Sequence, residues 1–285
     1  MPQAAMFDRR EPASTTRPVV LAIGGFDPSG GAGILADVRA IAVAGAHPTA
    51  LVTAATVQST AGCGEVAPVE ARLLRAQLER LVAAQPPDVV KLGALGDRAT
   101  AEVVAAFLAS YTGPVFVDPV ATASRHAEPG HGHALATPEA RAVLVDRIIP
   151  RGVVVCANAP ELAALSGLPC TGPASAEVAA HVVLARGARA VLAKGGHWTA
   201  GDATDLLVLP KSTHALPAPR LDASDVHGTG CTLASLAAGR LAMSRRADDA
   251  SLVEAVRWAK AALTLALTTP VVVGEGQRVV RLESP

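Results

Sequence analysis

The sequence predicts an α/β fold, a central and mostly parallel sheet flanked by helices on both faces, with a short antiparallel edge. Three observations carry that expectation. Short β-branched runs alternate with Ala- and Leu-rich segments of helical period along most of the 285 residues, as in chains built from strand–helix–strand units. The strand runs are largely apolar, as strands covered on both faces are. After Lys194 the texture changes to shorter, more polar strands, which suit an antiparallel edge.

The apolar strand runs fall at 19–23, 49–56, 88–92, 115–118, 153–156 and 190–193. Between and after them, Ala/Leu segments predict helices at 33–44, 71–84, 99–110, 138–147, 160–166 and 174–185. The polar strands are expected at 205–209 and 211–216, followed by closing helices at 229–243 and 252–268. The uncharged stretch 40–64 is long enough to resemble a membrane span, but His47, Pro48, Thr53, Gln58 and Ser59 interrupt it, so it reads as strand plus loops. Residues 1–18 hold Asp8, Arg9, Arg10 and Glu11 without an apolar segment, the composition of a disordered leader and not of a signal peptide. The Pro-containing stretches are too short to be linkers and no internal repeat occurs, so 19–285 reads as one domain.

Composition narrows the function. The 25 basic side chains balance 25 acidic ones, so no one-signed field invites nucleic acid. Aromatic residues supply only 2% of the chain, too few for a base-stacking platform. Cys63, Cys156, Cys170 and Cys231 stand far apart without a CxxC pair, which argues against a disulfide framework or structural zinc and for a reducing cytoplasm.

Three segments carry chemistry. The run GGFDPSGGAG at 24–33 follows the first strand and opens the first helix. Its glycines let backbone approach a ligand, although their spacing is not the GxGxxG of a dinucleotide site and no acid ends the second strand. Asp37, one helical turn beyond Gly33, is placed to turn its carboxylate back toward this loop and accept from a ligand N–H; read alone it is more often a solvated helix acid. The second segment, DVHGTGCT at 225–232, runs straight into a long apolar helix. A Gly-Thr-Gly turn there presents successive N–H groups and the positive helix end to a transferring phosphoryl group. Cys231 at the head of that helix is expected to have a lowered pKa, or to be a small buried cap residue. The third group lies at strand ends: Asp118, Asn158 with Glu161, and Lys194. In open parallel sheets ligands sit beyond those ends. Asp118 and Glu161 are the oxygen ligands offered to Mg²⁺, and Lys194 offers charge to phosphates.

Taken together these segments resemble the ribokinase-like superfamily, and within it the bacterial hydroxymethylpyrimidine/phosphomethylpyrimidine kinases. The resemblance rests on GFDPSGGAGILAD at 25–37, TVQST at 56–60, KLGAL at 91–95, VDPV at 117–120, NAPE at 158–161, KGGH at 194–197 and HGTGCT at 227–232. It implies a dimeric cytoplasmic enzyme that uses ATP and Mg²⁺ to phosphorylate 4-amino-5-hydroxymethyl-2-methylpyrimidine and then its monophosphate, in thiamine biosynthesis. By position, Asp37 and Gln58 would bind the aminopyrimidine edge, with Gly25 and Ala32 lining the ring site. Gly228, Thr229, Gly230 and Cys231 would form the anion hole, with Cys231 where sugar kinases keep a catalytic Asp. Asp118, Asn158, Glu161 and Lys194 would meet the metal and the nucleotide phosphates.

The chain also departs from the family pattern. Where a loop lysine is usual it reads Ala123-Ser124-Arg125-His126, leaving Arg125 as the substitute phosphate ligand. Ala94 replaces a Met that packs on the ring, and Asp225 replaces an Asn, a carboxylate that repels phosphate unless it is paired. The loop 126–133 holds three histidines and two glycines and reads as a mobile flap, with a metal site as the alternative. Two rival functions remain: a pyridoxal kinase, and a non-catalytic pyrimidine-binding regulatory protein. A nicotinamide dehydrogenase is remote, given the glycine pattern.

Overall fold

The computed structural model describes residues 16–120, 134–198 and 202–282. Its centre is β1 (Val19–Phe26), β2 (His47–Ser59), β3 (Gly62–Pro68), β4 (Val89–Leu92), β5 (Val115–Val117), β6 (Val154–Asn158), β7 (Ala190–Lys194), β8 (Asp205–Leu209) and β9 (Ser212–Leu216). These form one nine-stranded sheet in the order β3-β2-β1-β4-β5-β6-β7-β8-β9. The six strands from β2 across to β7 pair in parallel, while β2–β3, β7–β8 and β8–β9 pair antiparallel.

The expected antiparallel edge is therefore present, and a second one lies on the opposite side. β3 was expected to be loop, because Gly62, Gly64, Glu65 and Pro68 are weak strand formers. It forms because a hairpin brings it onto β2, with Ser59 opposite Gly62 and Ala54 opposite Pro68. An edge strand needs only one hydrogen-bonded side, so it tolerates such residues.

Side chains on β1 alternate between two cores. Leu21 and Ile23 face α2 (Ala71–Ala84), α3 (Arg98–Ser110), α4 (Pro138–Val143), α5 (Ala159–Ser166) and α6 (Pro173–Ala185), whereas Val20 and Ala22 face α1 (Gly33–Val43), α7 (Thr229–Ser244) and α8 (Asp249–Ala266). Both faces of the sheet are thus covered, which is what the apolar strand runs require. The expected helix at 138–147 ends as an α-helix at Val143 and continues as a π turn through Leu144–Ile148, then a 3₁₀ turn at Ile149–Arg151. Two short strands, β10 (Val226–His227) and β11 (Arg278–Val279), pair in parallel apart from the main sheet, and neither is legible as a run of apolar residues. Among the described residues, no helix is long and apolar enough to cross a membrane.

The chain runs outward from β1 to β2 and β3, then returns to β4 on the other side of β1. The carboxyl ends of β1 and β4 therefore diverge into loops that leave in opposite directions, and such a switch point opens a crevice. A cleft of about 1470 Å³ lies there.

Candidate active site

Gly25, Ala32, Asp37 and Gln58 line one part of the cleft; Asp118, Asn158, Glu161 and Lys194 line another, and Gly228 to Cys231 line it between them. The candidate residues within the described segments are brought to one place. Arg125 and the loop 126–133 lie outside the described residues, as do residues 1–15 of the expected leader.

The glycine loop after β1 is tied by Asp27. Its buried carboxylate accepts from the amides of Ser29 and Ala32, both at 2.9 Å, and meets His227 Nε2 at 2.8 Å. Burial pushes the Asp27 carboxyl up, but the bonds from His227 and Ser29 outweigh it and hold the group below the usual carboxylate range. The His227 ring also meets the Gln58 amide at 3.0 Å, and Gln58 meets Thr56 Oγ1 at 3.1 Å, so the glycine loop, β2 and β10 form one polar wall. Gly25 and Ala32 complete it as surfaces without long side chains.

From that wall β10 leads through Gly228 into α7. Gly228 has φ of 79°, a left-handed conformation that glycine adopts without steric cost. A Cβ there would also collide with the Gly31 carbonyl, so the two glycine turns lie against each other. The first amide with an intrahelical bond is that of Thr232, to Gly228 O at 3.0 Å. Among the described residues the amides of Thr229, Gly230 and Cys231 have no acceptor, as a helix N-terminus dictates, and they sit on the cleft wall. Three N–H groups and the positive end of a 16-residue helix are the donors that an anion takes at a helix N-terminus.

Charge is concentrated beside it. Lys194 Nζ donates to Asp118 Oδ1 at 2.8 Å and lies 3.4 Å from Glu161 Oε2. A Cβ on Gly230 would stand 3.0 Å from Lys194 Nζ and 3.6 Å from Asp118 Oδ2, which places this cluster against the amide nest. Asn158 and Glu161 are also a capping box: Asn158 Oδ1 accepts from the Glu161 amide at 2.9 Å and Glu161 Oε2 from the Asn158 amide at 2.8 Å. Burial raises the Asp118 pKa, but the attraction of Lys194 and Lys91 reverses this and lowers it; for Glu161 burial prevails and raises it. Asp118 Oδ2 is buried and has no hydrogen-bond partner, an acceptor aimed at nothing in the protein.

Two expectations about single residues are corrected. Cys231 does not have a lowered pKa. Burial pushes its thiol up, and Asp118 and Asp37 push it further, outweighing the pull of Lys91. Burial beside these carboxylates therefore holds the thiol protonated. Asp37 is not a solvated helix acid, although it lines the cleft with the glycine loop. It is 0% exposed, and its Oδ1 is taken by Lys91 Nζ at 2.7 Å and Ser235 Oγ at 2.8 Å. Ser235 lies one helical turn beyond Cys231 on α7, so the Asp37–Lys91 pair sits beneath the thiol. Burial raises the Asp37 pKa, while the attraction of Asp37 holds Lys91 protonated.

Lys91, His227 and Asp27 were not assigned roles from sequence. The signal for Lys91 was available: a cation inside the apolar strand VVKL requires a buried counter-charge. His227 and Asp27 carried no such signal, because their meeting depends on β10 and β11 lying beside the glycine loop. Asp225 is paired, as an acid near phosphates has to be: Arg278 Nε donates to its two oxygens at 3.0 and 2.8 Å. Among the described residues no group of three or more His, Cys, Asp or Glu side chains forms a metal cluster.

A parallel sheet of this order, with a helix amide nest and a lysine-bridged carboxylate pair at its switch point, defines a ribokinase-like small-molecule kinase. The family model for phosphomethylpyrimidine kinase matches residues 27–281, and the chain belongs to that family. It is 38% identical over 261 residues to the hydroxymethylpyrimidine/phosphomethylpyrimidine kinase of Streptomyces coelicolor, covering 92% of this chain and 93% of that one. Among solved structures it is similar to the phosphomethylpyrimidine kinase of Clostridium difficile, with a TM-score of 0.72, 27% identity and coverage of 88% of this chain and 98% of the other. It is also similar to a pyridoxal kinase from Staphylococcus aureus in complex with ADP, with a TM-score of 0.80, 25% identity and 94% coverage of each chain.

Proposed function

We propose that this chain phosphorylates 4-amino-5-hydroxymethyl-2-methylpyrimidine and then its monophosphate with ATP, in thiamine biosynthesis. The observation that carries the reading is the amide nest of Thr229, Gly230 and Cys231 opening on the same cleft as the glycine loop and Gln58. Phosphoryl transfer asks mainly for positioning and for neutralisation of spreading negative charge, and a rigid helix end supplies both.

The pyrimidine ring lies between the Gly25/Ala32 wall and Gln58, its hydroxymethyl group directed at Cys231. Asp37 acts from below, with Lys91, and not at the ring edge. The γ-phosphoryl group rests on the Gly228–Cys231 amides while Lys194 and Asn158 attend the nucleotide phosphates. As the hydroxyl oxygen bonds to phosphorus and the bond from phosphorus to the ADP oxygen breaks, the hydroxyl proton passes to the Cys231 sulfur while the thiol's own proton leaves to water in the cleft. The product is the phosphate ester, ADP and one proton. The donors fit Mg²⁺, because the unpartnered Asp118 Oδ2 and the Glu161 carboxylate provide the one or two oxygens that this ion takes from protein when phosphates and water fill its shell. When bound it would offset charge on the phosphates. Arg125 is the further phosphate ligand in this reading, and a homodimer in the cytoplasm is its setting.

The test is a coupled ADP assay with the aminopyrimidine alcohol, followed by mass analysis. The expected result is ADP release with both mono- and diphosphate products. Binding of the pyrimidine without ADP would instead select a regulatory protein. The likeness to a pyridoxal kinase makes pyridoxal the second substrate to assay; faster turnover of pyridoxal than of the aminopyrimidine would overturn the substrate assignment.

A further inference from the structure

The peptide that leads into the phosphate cradle is held from outside by the C-terminal strand. β11 pairs with β10, Arg278 opposite Val226 and Val279 opposite His227, and Val279 is itself anchored by two backbone bonds to Val271 at 3.0 and 2.9 Å. Arg278 grips the same run through its side chain. Its Nε donates to Asp225 Oδ1 at 3.0 Å and Oδ2 at 2.8 Å, Nη2 donates again to Oδ1, and Nη2 donates to the Asp222 carbonyl at 2.8 Å. A fork held this way fixes the orientation of its partner as well as its charge.

The pair is half exposed, with 28% of the Arg278 side chain and 34% of that of Asp225 reached by solvent. Ion pairs so placed contribute little to folding. Their position is more telling. Asp225 precedes Gly228 by three residues, and Asp222 stands on the cleft wall. An uncancelled carboxylate here opposes an incoming polyphosphate.

We propose that Arg278 is a positioning residue of the phosphate cradle that acts through Asp225: by cancelling that carboxylate's charge it keeps the Thr229–Cys231 amides open to phosphate. This rests on the kinase reading, and the experiment separates the two. ATP kinetics are measured with saturating aminopyrimidine for the parent chain, Arg278→Leu, Asp225→Asn and the double variant, with a thermal melt of each. In Arg278→Leu the KM for ATP rises about tenfold with kcat changed far less and the melting temperature nearly constant. The defect shrinks as salt is added. Asp225→Asn alone does not raise KM, and in the double variant it restores most of the loss. A parent without ADP release overturns the kinase reading itself. A parent that turns over, with Arg278→Leu kinetics unchanged, overturns the role of Arg278. A double variant no better than Arg278→Leu, or a lowered melting temperature that accounts for the loss, assigns Arg278 to structure alone and likewise overturns the proposal.

Discussion

Replacing Cys231 with Ala lowers kcat by about 10²- to 10³-fold, the usual contribution of a positioned proton acceptor, and leaves KM for ATP nearly constant. The thiol acts in its protonated form. It is recessed beside the amide nest, close to Asp118, and its pKa is raised by burial. It therefore acts as a conduit and not as a free thiolate nucleophile. Removing the sulfur takes away the group that receives the hydroxyl proton but leaves the Cys231 amide in the nest, so nucleotide binding survives. Cys231→Ser retains a hydroxyl able to take up one proton as it gives up another and recovers part of the rate. Steady-state kinetics on both variants check this. Near-normal turnover in both would remove the side chain from the mechanism.

Replacing Asp37 with Ala destabilises the protein by about 3–5 kcal/mol, because it strips the counter-charge from a lysine that has no access to water. Lys91 and Asp37 are both 0% exposed, so neither solvent nor a rotamer change relieves the loss. For a chain of this size the melting temperature falls by roughly 10 °C. Coupling is the distinguishing feature: Asp37→Ala combined with Lys91→Met removes both charges and is much less destabilised than Asp37→Ala alone. Calorimetry on the three variants measures it. Equal melting temperatures in the parent and Asp37→Ala would refute the buried pair. A loss confined to pyrimidine affinity, without loss of stability, would return Asp37 to the ring edge.

The outline of the fold was legible because it is encoded locally. Apolar runs long enough for strands, and Ala/Leu periods long enough for helices, place β1, β4, β7 and α2 within a few residues of where they lie. The positions at strand ends followed too, since Asp118, Asn158 and Lys194 must project from the carboxyl edge once the strands are parallel. What the local pattern could not convey is partnership at long range. Asp37 meets Lys91, 54 positions away, and Ser235, 198 positions away; Asp27 meets His227, 200 positions away. The pKa of Cys231 was misjudged for the same reason. The helix N-terminus was visible and lowers a thiol pKa, but the carboxylates of Asp118 and Asp37 on neighbouring elements were not, and burial beside them prevails. β3 and β11 were missed because each is made by its pairing partner and not by its own residues.

The amide nest is open to direct observation by ¹⁵N–¹H resonances of Thr229, Gly230 and Cys231, recorded as ATP with Mg²⁺ is added. The account predicts that these three amide protons move downfield together, as N–H groups that take up a phosphate do, while amides inside α3 and α6 hold still. Saturating nucleotide that shifts resonances elsewhere and leaves these three in place would contradict it.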